Sequence, residues 1–209
     1  MIRAVVFDMD GVLIDARDWH YEALNRALGH FGFAISRFDH LVTYDGLPTR
    51  QKLEMLSRER GLPRSLHGFL NELKQAYTME IVHARCKPRF QHEFALSRLH
   101  AQGYRLAVAS NSVQRTVDVM MERAGLSRYL EFTTSNEHVA RGKPAPDIYL
   151  FTFERLGVAP HEVLVVEDNE NGIRAATDAG AHVFVVSEPA DVTYDRIRVE
   201  LDLLDGVRA

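Results

Sequence analysis

A chain of 209 residues, 46% of them hydrophobic and 26% charged, has enough apolar material for one large domain or a core domain with a small second one. Its net charge of −4 offers neither the basic footprint of a nucleic-acid binder nor a polybasic membrane segment, so neither partner is expected. No apolar run reaches the roughly 20 residues of a membrane helix, the first residues pattern as a strand and not as a signal peptide, and the lone Cys86 leaves no internal disulfide, so a cytoplasmic setting is expected.

The chain begins with an apolar, β-branched run, Ala4 to Phe7, that reads as a strand buried on both faces, as in a parallel sheet. It stops abruptly on two carboxylates, Asp8 and Asp10, followed by Gly11. Ligands of open α/β sheets bind at the carboxyl ends of the strands, so these acids stand where chemistry is expected. Clustered carboxylates repel each other, and a hard cation such as Mg²⁺ relieves that repulsion. An Asp beside such a cation stays ionised and can attack an electrophile that the cation polarises. Taken alone, Asp-x-Asp-Gly serves equally well as a solvated turn.

After Asp15 the period changes. Trp19, Ala23, Leu24, Ala27, Leu28 and Phe31 describe one face of a helix, with Asp15 or Asp18 as N-cap and Gly32 as stop. A Gly-Leu-Pro turn at Gly46 to Pro48 leads to a second helix, capped by Thr49, whose Arg58, Glu59 and Arg60 form a solvated face. A second Gly-Leu-Pro, at Gly61 to Pro63, precedes a long helix from about Leu66 to His83. The stretch is therefore a helical insertion, residues 16–85, between core segments 1–15 and 86–209.

From Phe90, helix and strand alternate. A helix through Phe94, Leu96 and Leu99 ends at Gly103, and Tyr104 to Ala109 is a strand ending on Ser110-Asn111-Ser112. A helix from Val113 to Ala124 follows, its Met120-Met121 pair reading as core filler, and then a short, weak strand near Phe132-Thr133. The loop from Arg141 to Asp147, with Lys143, opens a helix through Leu150, Phe153 and Leu156. Val163 to Val166 is a strand ending on Glu167-Asp168-Asn169, and a helix stopping at Gly180, a strand Ala181 to Val186 and a final helix over Asp191 to Leu204 complete the pattern.

Three strands thus end on polar clusters, and parallel strands bring their ends to one edge. Asp8 and Asp10, Ser110 and Asn111, Lys143, and Glu167 with Asp168 then supply a nucleophile, a second acid, neutral donors, a fixed cation and further carboxylates for a metal. That inventory suits a phosphoryl group in flight, where a protein works by positioning and charge neutralisation.

Asp8-Met9-Asp10-Gly11-Val12, Ser110-Asn111, Lys143-Pro144-Ala145-Pro146-Asp147 and Glu167-Asp168 with Gly172, Ala175, Ala176 and Gly180 resemble the four motifs of the haloacid dehalogenase superfamily. The helical insertion resembles the C1-type cap of its beta-phosphoglucomutase-like branch. The resemblance implies a Rossmann-like parallel-sheet core with an all-helical cap inserted after the first strand. It implies Asp8 as nucleophile, forming an aspartyl phosphate, and Asp10 as general acid and then base. Mg²⁺ would be held by Asp8, the Asp10 backbone carbonyl and Asp168, with Glu167 near or in its coordination shell. Ser110, Asn111 and Lys143 would bind the transferring group.

The carboxylate at position 10 sets dehalogenases and phosphonatases aside. Asn169 departs from the Ser frequent after the metal-binding pair, Pro88-Arg89-Phe90 from the usual Pro-Gly-Val at the return to the core, and Ala16 from the Ser or Thr common at the outgoing hinge. A Mg²⁺-dependent phosphatase acting on a small sugar or polyol phosphate, as a monomer or weak homodimer, is the expected protein. The alternatives are a sugar phosphomutase, which needs a second phosphate contact in the cap that Arg50 could give, and a non-catalytic phosphate sensor, against which the helical insertion and Asp10 argue. His20, one turn into the first cap helix, is a further candidate substrate contact.

Overall fold

The structure is a computed structural model that describes residues 1–44 and 46–206; residues 207–209 of the expected core segment lie outside the described residues. Strands β1 (Ala4–Phe7), β2 (Arg105–Ala109), β3 (Phe132–Thr134), β4 (Val163–Glu167) and β5 (His182–Val185) form one parallel sheet in the order β3-β2-β1-β4-β5. All five expected strands are present. β1 lies at the centre, and its four residues are fully buried because helices cover both faces of a parallel sheet.

The helices are α1 (Arg17–Gly29), α2 (Arg37–Asp39), α3 (Thr49–Arg60), α4 (His67–Arg85), α5 (Phe90–Ala101), α6 (Gln114–Arg123), α7 (Asp147–Leu156), α8 (Glu170–Asp178) and α9 (Tyr194–Leu204). On one sheet face Val6, Ala107 and Val165 pack with Ile148 and Phe153 of α7 and Ala175 and Ala176 of α8. The alternate residues Val5, Phe7, Leu106, Val108, Leu164 and Val166 are buried as well. Each large apolar side chain removed from water in this way contributes roughly 1.5–3 kcal/mol.

The chain divides into two compact units. One comprises residues 1–15 and the chain from Lys87 onward; the other is Ala16–Cys86 and is helical. The helical unit thus runs through Cys86, one residue past the expected boundary; Cys86 is the C-cap of α4, extended, with its N–H donating to Val82 O. Within the helical unit α1, α3 and α4 enclose Leu24, Leu28, Tyr44, Leu53, Leu56 and Leu70. Arg58, Glu59 and Arg60 form a solvated face, and Met120 and Met121 are fully buried.

Three local expectations are corrected. Neither Asp15 nor Asp18 caps α1. Ala16 occupies that position without a side-chain bond, while Asp18 lies in the first turn, near the positive end of the helix dipole, and pairs with Arg37. Thr49 is the first residue of α3 and Pro48 precedes it. The last helix starts at Tyr194, where the Thr193 side chain accepts from Arg196 N–H, and Asp191 instead belongs to a short turn before it. The sequence reading also missed α2 and the π-helical turn over His40–Tyr44.

Candidate active site

The register of the sheet assembles the site. Phe7 is level with Val108 on one side and Val166 on the other, so Asp8, one residue later, stands beside Ala109 and Glu167. Asp8 is anchored by its N–H to Val166 O at 3.0 Å, and its side chain is 7% exposed. Lys143 arrives from the loop before α7. Its Nζ donates to Asp8 Oδ1 at 2.5 Å, to Glu167 Oε1 at 2.6 Å and to Ala109 O at 2.9 Å. An ammonium has three donors, and all three are used.

Glu167 is fully buried and fully engaged. Oε1 also accepts from the Tyr149 hydroxyl at 2.5 Å, and Oε2 accepts from Asp168 N–H at 3.2 Å and Asn169 Nδ2 at 3.5 Å. The Tyr149 ring lies 4.8 Å from Lys143 Nζ, a cation–π contact inside the same pocket. Sequence reasoning missed Tyr149. Its i, i+4, i+7 spacing with Phe153 and Leu156 reads as plain core, and only a hydroxyl on that face hints at a buried polar partner.

The electrostatics follow from the burial. Burial pushes the Asp8 carboxyl well above the usual carboxylate range, Lys143 draws it down, and Glu167, Asp168 and Asp10 push it up again. Burial alone would lower the Lys143 ammonium; Asp8 and Glu167 outweigh it and raise it, so Lys143 stays charged. Burial and the neighbouring Glu167 push the Tyr149 hydroxyl well above its ordinary value, which keeps it a donor.

Among the described residues, Asp8, Glu167 and Asp168 form an acidic cluster whose candidate ligand oxygens all lie within 4.8 Å of one another. Two glycines make room for it. Gly11 has φ +91°, which disfavours any L side chain, and a Cβ there would overlap the Asp168 carboxylate. Gly172, in the first turn of α8, faces the Glu167 carboxylate, which a Cβ would also overlap. Asn169 caps α8 by accepting from Gly172 N–H at 3.1 Å and donates to Asp168 Oδ1 at 3.0 Å. The residue standing where Ser was expected therefore performs both the capping and the orienting task.

The side chain of Asp10 lies outside the three-carboxylate cluster, and its Oδ2 accepts from the Ser112 hydroxyl at 3.1 Å. Ser110 is buried, its N–H donating to Thr134 O and its Oγ accepting from Ser112 N–H. The Asn111 side chain clamps the Lys143 peptide, accepting from Lys143 N–H at 2.9 Å and donating to Lys143 O at 3.1 Å. That amide places the lysine loop, a task the sequence reading had not given it. In the helical unit, His20 Nδ1 on α1 lies 3.2 Å from Lys74 Nζ on α4, and since an ammonium only donates, Nδ1 accepts. Arg50 is exposed in the first turn of α3.

The family model described as haloacid dehalogenase-like hydrolase matches residues 5–186. The chain belongs to that family. It is 33% identical over 182 residues to a phosphorylated carbohydrates phosphatase of Thermotoga maritima, with 86% of this chain and 82% of that protein covered. It is 28% identical over 177 residues to the Escherichia coli fructose-1-phosphate phosphatase YqaB, covering 84% of this chain and 92% of that one. The structure of beta-phosphoglucomutase from Clostridium difficile superposes with a TM-score of 0.84 over all of both chains at 21% identity, a likeness of fold. The haloacid dehalogenase-like hydrolase thus has the core that its motifs implied, and it is an enzyme.

Proposed function

We propose that this hydrolase is a Mg²⁺-dependent phosphatase that removes the phosphoryl group from a sugar or polyol phosphate through an aspartyl phosphate on Asp8. The observation that carries this reading is the buried Lys143 ammonium joining Asp8 to Glu167, with Asp168 completing the cluster at the sheet edge. The phosphatase relatives support the same chemistry, and their carbohydrate and fructose 1-phosphate substrates support the substrate class.

The donor set suits Mg²⁺: hard carboxylate oxygens are gathered where burial and three like charges push Asp8 up. Asp8, Asp168 and the Asp10 carbonyl would hold the cation, with Glu167 beside them, its two oxygens already accepting from Lys143, Tyr149, Asp168 and Asn169. When bound, Mg²⁺ supplies charge that neutralises the phosphoryl oxygens.

Asp8 attacks phosphorus, and a carboxylate–phosphate bond forms as the bond to the leaving oxygen breaks. Asp10 gives that oxygen its proton, then takes one from the water that hydrolyses the intermediate. Lys143 keeps Asp8 aimed and offers an N–H to the phosphoryl oxygens as the nucleophile's charge is used. Ser110 and Asn111 close the other side, Ser110 as a neutral donor and Asn111 by placing the lysine loop. The helical unit acts as the cap that selects the substrate, with His20 and Arg50 as contacts to it. The enzyme works in the cytoplasm as a monomer or weak homodimer, without nucleic-acid or membrane partners.

A phosphate-release screen with Mg²⁺ over sugar, polyol, nucleotide and amino-acid phosphates tests the reading. Release from the sugar and polyol phosphates, absent in Asp8→Asn, is expected. Conversion of a hexose 1-phosphate to the 6-phosphate without net release would make the enzyme a mutase instead.

A further inference from the structure

Ser112 and Asp10 are 102 positions apart in the chain, yet the Ser112 hydroxyl donates to Asp10 Oδ2 at 3.1 Å. Both partners stand on fixed backbone. Ser112 N–H donates to Ser110 Oγ at 3.1 Å, and the Ser112 carbonyl accepts from Asn136 N–H at 3.3 Å. Asn136 in turn donates from Nδ2 to Asn111 O at 2.7 Å, tying the end of β2 to the turn after β3. On the other side, Asp10 and Ile14 form an isolated bridge. It is closed by Gly11 N–H to Ile14 O at 2.7 Å and Ile14 N–H to Met9 O at 2.9 Å.

We propose that Ser112 is the positioning residue for Asp10, holding its carboxyl in the rotamer from which the proton passes to the leaving oxygen. The proposal rests on Asp10 being the general acid. The hydroxyl engages Oδ2 and so assigns the proton to Oδ1. A donor to Oδ2 remains favourable whether Oδ1 carries its proton or has delivered it, so one contact serves both halves of the reaction. Without it, Asp10 loses a hydrogen bond worth about tenfold in rate wherever the acid's placement limits that rate.

Leaving-group dependence tests this. An alkoxide needs the acid's proton to depart, whereas p-nitrophenolate leaves without one, and kcat/KM reports only the steps up to alcohol release. Ser112→Ala should lower kcat/KM for fructose 1-phosphate, or for whichever sugar or polyol phosphate the wild type hydrolyses fastest, by about tenfold. For p-nitrophenyl phosphate it should change less than about twofold, and Ser112→Thr should restore the alkyl rate. Equal losses on both substrates, or a rise in KM alone, would overturn the proposal and make Ser112 a structural or substrate-contact residue. If the alanine variant does not fold, Ser112→Cys, of similar size and weak donor strength, is read in the same way. Asp10→Ala separates the two readings. If it shows no leaving-group dependence, Asp10 is not the acid; if it does while Ser112→Ala does not, only the role of Ser112 fails.

Discussion

Asp8 and Glu167, side by side at the ends of neighbouring strands, share one ammonium: Lys143 Nζ lies 2.5 Å from Asp8 and 2.6 Å from Glu167. The Lys143 side chain is 3% exposed, so water does not replace the contact if it is lost. Lys143→Met keeps the length and removes the charge, leaving two carboxylates facing each other in a buried site. Breaking a buried pair costs about 3–5 kcal/mol, and the variant should lose about that much in urea unfolding. Its turnover should fall by at least about a hundredfold in a phosphate-release assay. Wild-type stability in Lys143→Met would mean that the two acids do not depend on the ammonium.

Gly172 tests the same cluster from the other side. A Cβ at this position would overlap the Glu167 carboxylate, which is held by Lys143, Tyr149, Asp168 and Asn169 and cannot swing away. Gly172→Ala should destabilise the chain by roughly 2–3 kcal/mol and depress turnover with it. Gly68 is the control: it also lies in a helix, α4, with open space where a Cβ would go. Gly68→Ala should be neutral or stabilising by about 0.5–1 kcal/mol, since it restricts the unfolded chain without strain. Equal melting shifts for the two variants would remove the steric explanation.

The strands and most helices could be read from the sequence because their signals are local: β-branched runs for β1 and β4, three- and four-residue spacing for α1 and α7, glycine stops. The strand-end acids and Lys143 were legible for the same reason, since parallel strands deliver their termini to one edge. What escaped reading depends on tertiary geometry. Tyr149 looks like core until the position of Glu167 is known. The clamp of the Asn111 amide on the Lys143 peptide shows only once the lysine loop is placed beside β2. The π-helical turn over His40–Tyr44 carries no periodicity signal, because a single turn is too short to have a period. That the helical unit runs through Cys86 is marked by one backbone hydrogen bond, from the Cys86 cap to Val82 O, which composition does not show.

Removal of the metal is a direct test of the acidic cluster. EDTA should abolish turnover, Mg²⁺ should restore it, and Ca²⁺ should inhibit, because its longer and more numerous ligand bonds loosen the alignment of nucleophile and phosphorus. A readout without turnover is also available. Mg²⁺ should raise the melting temperature of the wild type by relieving the repulsion of Asp8 by Glu167, Asp168 and Asp10. Asp168→Ala should lose most of that response. A Mg²⁺ shift of unchanged size in Asp168→Ala would place the ion elsewhere.

His92 gives the chain a pH dependence that is separate from the catalytic carboxylates. The ring is 1% exposed on α5, and Nε2 lies 2.8 Å from Pro189 O. Burial pulls its pKa below the ordinary 6.5, and nearby Arg89 lowers it further; the backbone bonds to Pro189 and Leu13 act the other way without cancelling the burial. Between the lowered folded value and 6.5 the unfolded chain binds more protons than the folded one, so stability rises with pH across that window. The contribution of His92 is therefore complete above the unfolded value and is lost as pH falls through the folded one. His92→Gln keeps a donor toward Pro189 O but cannot titrate. Melting curves of both proteins at about pH 7 and about pH 5 should show a smaller acid-induced drop in the variant, whatever its stability at neutral pH. Parallel drops would mean that the imidazole binds protons alike in the folded and the unfolded chain, and the acid sensitivity would then belong to other groups.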